Sequence, residues 1–226
     1  ALSANGAKGS IDVLAMTEGE MNYLNQTKSA GVGPSTNSTT TSHVTYDNSI
    51  TAKDSTLKTA KENQNITMAS VDVTKAAFKT VADTQGGIAG AASGSTDSTL
   101  DRSNKISISG GLIESMNDVN LYAGASLNRY ESSLNYELSA EAYNRTVIPL
   151  WTDPKVTNSM TQKNQLLIDG NVRSVRHTNL YAEKGVTTVT ETAREYKLYT
   201  KDGGEGEVAS TAHGDRIKNE VEDNYI

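Results

Sequence analysis

Apolar and polar residues alternate along much of this 226-residue chain. Clear examples are the runs SIDVLA at 10–15, MNYLN at 21–25 and KISIS at 105–109. Alternation over four to eight residues is typical of a strand with one buried face. No segment sustains the 3.6-residue apolar spacing of an amphipathic helix well enough to compete with this pattern. The pattern therefore predicts an all-β fold.

One stretch of this pattern occurs twice. Residues 117–123 read NDVNLYA, residues 176–182 read RHTNLYA, and the two copies are 59 positions apart. Such repeats indicate stacked β rungs, because a single rung cannot bury its own apolar side. Weaker copies begin at 10 (SIDVLA) and at 70 (SVDVTK). We expect one polar position of the four copies to form a side-chain ladder, as stacked amides do in cross-β structures. Its members are Asp12, Asp72, Asn120 and Asn179.

Polar stretches rich in Ser, Thr and Gly separate the repeats. Segments 26–42, 84–104 and 124–165 have the composition of loops. We predict that they project from a single β-solenoid segment covering 1–226, and that part of 124–165 forms a hairpin standing off the body. Tyr and Trp offer rigid amphipathic contact area, so the aromatic residues of the last segment are candidate partner contacts. These are Tyr130, Tyr136, Tyr143 and Trp151.

The composition narrows the classes of protein to which the chain can belong. The hydrophobic fraction is 35%, too little for a thick globular core but enough for a narrow column of stacked side chains. A net charge of −6 argues against nucleic-acid binding, which needs a clustered basic face. The chain has no Cys, which removes disulfides and thiolate sites. No apolar run is long enough for a membrane span.

Motifs for catalysis, metal binding or cofactor binding are missing from the chain. Its histidines, His43, His177 and His213, have none of the spacings typical of metal sites. The carboxylates near the repeat at 118–141 are evenly spaced, and nothing marks two of them as a glycosidase pair. We therefore predict no enzyme activity, no metal and no cofactor.

The rungs resemble those of the long secreted β-helix exoproteins of Gram-negative bacteria. The shared pattern, G-x-V-x-[ST]-x-x-[DN]-V-x-L-x-A, runs through Gly111–Ala123 and Gly170–Ala182. Proteins of this kind include the filamentous-haemagglutinin-like adhesins and the leukotoxin-like filamentous adhesins. The resemblance implies a right-handed parallel β-helix, export to the cell surface or the medium, and adhesion to a protein or glycan receptor on host or bacterial cells. The secretion domain of that family is absent, so an interior fragment is expected.

Two other classes of protein fit the same pattern. A β-helical carbohydrate-active enzyme or a phage tailspike segment would show a groove with paired carboxylates, and a tailspike would be trimeric. A self-assembling filament or coat subunit would associate with copies of itself.

Overall fold

The computed structural model describes residues 2–4, 9–124, 131–199, 206–213 and 220–225. Strands make up 84% of the structure and the described residues contain no helix, so the predicted all-β class is confirmed. In chain order the strands are β1 (Leu2–Ala4), β2 (Ile11–Ala30), β3 (Ser35–Lys53), β4 (Thr56–Thr59), β5 (Ile66–Gln85), β6 (Ala89–Ser115), β7 (Val119–Gly124), β8 (Ser133–Arg145), β9 (Ile148–Ser174), β10 (Thr178–Glu183), β11 (Val186–Tyr199), β12 (Gly206–His213) and β13 (Glu220–Tyr225).

The chain passes back and forth between two sheets. Within the described ranges, sheet I contains β1, β3, β4, β6, β9 and β13, and sheet II contains β2, β5, β7, β8, β10, β11 and β12. Among these described strands, neighbours are parallel except for β12, which runs antiparallel to β11. Residues that pair between parallel neighbours are 53 to 60 positions apart in the sequence. The chain therefore returns to the same sheet after each stretch of this length, which we call a pass. Each pass adds strands to both sheets. The sheets form a half-barrel and not a clear right-handed β-helix.

The predicted loops are wrong. Segment 26–42 lies mostly in β2 and β3, segment 84–104 mostly in β6, and the described part of 124–165 mostly in β8 and β9. The predicted hairpin is also absent there, because β8 pairs in parallel with β5 and β11. Composition misled the prediction, since alternate residues of β3, β6 and β8 are mostly buried, and on β3 the buried residues include Thr36, Ser38 and Thr40.

Hydrogen bonds between buried hydroxyl groups join the two sheets around Thr40, Thr80 and Thr96. Thr80 Oγ1 lies 2.7 Å from Thr40 Oγ1 and Thr96 Oγ1, and Thr84 Oγ1 donates to Thr36 Oγ1 at 2.7 Å. The sheets approach closely here, because a Cβ on Gly94 would meet the Glu141 carbonyl oxygen at 2.9 Å. The interior here therefore consists of small residues whose hydroxyl groups form hydrogen bonds with each other, because large apolar residues would not fit.

The two near-identical stretches lie side by side, with Val119 beside Thr178 and Asn120 beside Asn179. The assignment of Asp72 to their ladder is wrong. Asp12 pairs with Thr67, which in turn pairs with Asn120, whereas Asp72 pairs with Thr17. The sequence of β5 contains two apolar–polar–apolar runs, ITM at 66–68 and VDV at 71–73, which are five residues apart. The prediction aligns the second run with the repeat, whereas the structure aligns the first. Because the shift is an odd number of residues, it places every side chain on the opposite face of the sheet.

The apolar interior has two parts separated by a polar layer. One cluster is built around Ile66, Ile106 and Leu121, and the other around Leu100 and Leu138. On β6 the inward residues between these clusters are Arg102 and Asn104, and on β5 the buried polar residues between them are Ser70, Asp72 and Thr74.

Candidate functional site

The polar layer in the core is built on a buried ion pair. Arg102 donates from Nε and a terminal guanidinium nitrogen to Asp72 Oδ2, at 2.9 and 2.6 Å. Its other terminal nitrogen donates to Gln162 and Thr187, and both charged side chains are at most 1% exposed. Burial also raises the pKa of the neighbouring Tyr46 phenol. Because neither charge reaches the surface, this layer joins sheet I to sheet II and offers nothing to a partner.

An asparagine ladder, which the sequence analysis missed, runs beside this ion pair. Asn48 donates to Asn104, and Asn104 donates to Asn164, each at 3.3 Å and 56 or 60 positions apart. Asn224 pairs with Asn164 in the strand register. The signal in the sequence is Asn followed two positions later by Ile or Leu, as in NSI at 48–50, NKI at 104–106 and NQL at 164–166.

The predicted ladder positions form a second, outer column. Asn179 donates its side-chain amide to Asn120 Oδ1 at 2.8 Å, in a partly buried position. Tyr122 and Tyr181 stack beside them with ring centroids 5.4 Å apart. This column stabilises the strand stack and presents no reactive group.

A polar groove of about 350 Å³ crosses the outer face of sheet II. Its walls are alternate residues of β2, β5 and β8, the ones that point away from sheet I. These are Leu24, Gln26, Lys28, Lys79, Val81, Asp83, Gln85, Glu141, Tyr143 and Arg145. Because the three strands are parallel and in register, residues from successive passes stand side by side in rows across the groove. We refer to this feature as the outer groove.

Ion pairs fix the side chains of the outer groove. Lys79 Nζ lies 2.8 Å from Glu141, and Arg145 Nε lies 3.3 Å from Asp83. The Tyr143 hydroxyl donates to Glu141 at 3.0 Å, and burial together with this bond raises the pKa of Tyr143. The groove therefore presents two cations and a phenol, held in a preset arrangement by carboxylates that are largely buried, which suits a polar ligand.

The four candidate partner contacts have different environments. Tyr136 is fully buried, with its hydroxyl bonded to Ser98, so its assignment as a partner contact is wrong. It fills the core because it lies on the inward face of β8. Tyr143 belongs to the outer groove and stacks on Tyr196 with centroids 4.4 Å apart. Trp151 is exposed, and Tyr130 lies outside the described residues.

Exposed apolar side chains gather at one corner of the molecule, where three successive turns are stacked. Backbone bonds join the turns, from Ile88 N to the Val32 carbonyl at 3.1 Å and from Ile148 N to the Ile88 carbonyl at 2.8 Å. The side chains are between 48% and 79% exposed. We call this set the corner ridge, and its members are Val32, Ile88, Val147, Ile148, Leu150 and Trp151.

Among the described residues, no group of three or more His, Cys, Asp or Glu side chains is placed to hold a metal ion. His177 Nδ1 lies 3.1 Å from Asp118, and His43 Nε2 lies 3.6 Å from Asp101, both at exposed positions. The side chain of His213 lies outside the described part of the chain.

In the described ranges no helix is long and apolar enough to cross a membrane. Comparison of the chain with known protein families, with curated proteins and with solved structures found no match.

Proposed function

We propose that the chain is a rod-forming segment of a secreted or surface-exposed bacterial adhesin, wound as a right-handed parallel β-helix. The observation that carries this proposal is the parallel, in-register stacking of successive passes, each 53 to 60 residues long. Stacked passes extend a protein in one direction, and each pass contacts only its neighbours. The resemblance of Gly111–Ala123 and Gly170–Ala182 to the rungs of Gram-negative adhesins supports the adhesive role.

The contact with a receptor takes place, in this proposal, on the outer groove and not on projecting loops. Its rows of charged and amide side chains fit the hydroxyl and carboxylate groups of a cell-surface glycan, or a polar protein segment. Lys28 and Leu24 stand at the open rim, on the edge strand β2, where a ligand reaches them without breaking the internal ion pairs.

Adhesion of microspheres coated with the chain to cultured host cells tests this role. We expect the double variant Lys28→Ala, Leu24→Ala to lower the number of bound spheres at least about tenfold, since contacts in a receptor site dominate binding energy. Lys53→Ala provides the matched control, because Lys53 is exposed on β3 outside the groove. Equal binding by the groove variant and the wild type, or wild-type binding no stronger than that of an unrelated protein, would refute the proposal.

A carbohydrate-active enzyme is the second candidate, favoured by the presence of two carboxylates, Asp83 and Glu141, in the same groove. Each is held in an ion pair with a basic residue. Release of reducing ends from a bound glycan, lost in both Asp83→Asn and Glu141→Gln, would favour this candidate. Binding without cleavage would favour the adhesin.

A further inference from the structure

The corner ridge is an apolar surface with a rigid backbone. Gly87 has φ of +77°, and a Cβ there would lie 2.2 Å from the Gly31 carbonyl oxygen, so the first two turns are in direct backbone contact. Just after the third turn, at the start of β9, Leu150 is the extra residue of a bulge opposite Gly90 and Ala91 of β6, and it is exposed. A surface that is already ordered loses little conformational entropy when it is covered.

The ridge carries no charge. Segments 29–34, 86–92 and 146–152, which supply its residues, contain no Asp, Glu, Lys, Arg or His. Burying a charged side chain away from water and without a partner is costly. Because the ridge has no charged side chain, covering it avoids this cost. The chain as a whole has a net charge of −6, so copies repel each other elsewhere and anionic lipid is not attracted.

The exposed side chains of the ridge present on the order of 600 Å² of apolar surface, at the upper limit for a patch on a monomer. Two ridges in contact would remove about 1,200 Å² from water, which is the lower end of the range for specific interfaces. A twofold arrangement satisfies this geometry with one self-complementary patch.

We propose that the corner ridge is a self-association surface, through which two copies of the chain pair side by side. The partner is a second copy because the ridge is exposed, lacks charge and has the area that a weak dimer needs. The ridge and the outer groove share no residue, so variants at one surface leave the side chains of the other in place.

The single tryptophan of the chain, Trp151, reports directly on this surface. Raising the concentration from about 1 to about 200 μM should shift its fluorescence to shorter wavelength while sedimentation shows a monomer–dimer equilibrium. The triple variant Val32→Ser, Ile88→Ser, Ile148→Ser keeps the reporter and should weaken dimerisation at least about 100-fold. Val175→Ser, an equally exposed apolar residue after β9, should leave it unchanged.

A second variant tests the interface by charge repulsion, in addition to the loss of apolar surface. Leu150→Asp places two carboxylates in a twofold interface and should give a monomer with unchanged circular dichroism. A wild type that stays monomeric throughout the concentration range overturns the proposal. So does equal dimerisation of the triple variant, or a fluorescence shift produced only by phosphatidylcholine vesicles while the protein remains a monomer.

Discussion

At the scale of single residues, the contact between Arg102 and Asp72 joins the two sheets through charges that water does not reach. Removing one partner leaves the other charge buried without compensation. We therefore expect Arg102→Ala and Asp72→Ala each to lower the free energy of unfolding by about 3–5 kcal/mol. The double variant should cost less than the sum of the two, because it leaves neither charge unpaired.

Urea unfolding followed by circular dichroism measures these four proteins under the same conditions. Single variants that lose less than about 1 kcal/mol would mean that the pair is solvated like a surface salt bridge.

A second residue, Tyr136, gives the molecule a dependence on alkaline pH. Burial raises the pKa of its phenol above 10.0, although hydrogen bonds to Ser98 and Ser42 oppose this. As pH rises above about 10, the unfolded chain loses this proton before the folded chain does. The stability contributed by the neutral phenol is therefore complete below pH 10 and is lost as pH rises towards the folded-state pKa.

Tyr136→Phe isolates this contribution, because phenylalanine cannot ionise. At neutral pH the variant should be less stable by about 0.5–1.5 kcal/mol through loss of the hydroxyl bond. As the pH rises above about 10, the difference between wild type and variant should shrink. Urea midpoints across this range provide the measurement, and a constant difference would contradict the assignment.

At the scale of elements, the inner asparagine ladder ties sheet I to the polar layer. Asn104 donates to Asp72 at 2.9 Å and to Asn164 at 3.3 Å, and it accepts from Asn48 at 3.3 Å. We expect Asn104→Ala to cost about 2–3 kcal/mol of unfolding free energy, because it orphans buried partners on both neighbouring strands. Asn179→Ala, in the partly buried outer column, should cost about 0.5–1 kcal/mol.

Thermal and urea unfolding of the two variants compare the columns directly. A larger loss for Asn179→Ala would show that the outer column, which the sequence repeat makes conspicuous, is the principal ladder.

The sequence pattern predicts some of the strands and their stacking but not others. The repeat predicts stacked strands without saying which copies are adjacent, and the structure places Asn120 and Asn179 on neighbouring strands in register. Alternation wrongly predicts that Asp72 belongs to the same ladder, because it does not distinguish two registers an odd number of residues apart. Composition predicts loops for the Ser/Thr-rich strands, because it does not reveal that Thr40 and Thr80 face each other inside the molecule. Neither the outer groove nor the corner ridge was predictable, because each combines residues from three passes that only the register brings together.

At the scale of the whole molecule, the two sheets behave as layers added pass by pass. A pass buries its inward residues against the passes on either side of it, so stability accumulates through nearest-neighbour contacts and not through one central core. The buried ion pair crosses between sheets within this stack, and the ladders run along it. Under a mechanical pulling force the molecule should therefore unfold one pass at a time.

Pulling the chain from its two ends tests this architecture. Release of one pass should lengthen the chain by roughly 180–210 Å, given the reach of 53 to 60 extended residues. Ser42 and Ser98 are register partners 56 positions apart with hydroxyl oxygens 2.9 Å apart, so the variant Ser42→Cys, Ser98→Cys can link two passes by a disulfide. In the oxidised variant about 190 Å of extension should vanish and return on reduction. A single release of the whole chain in the reduced protein would contradict the pass-by-pass architecture, because it would require all layers to fail as one cooperative unit.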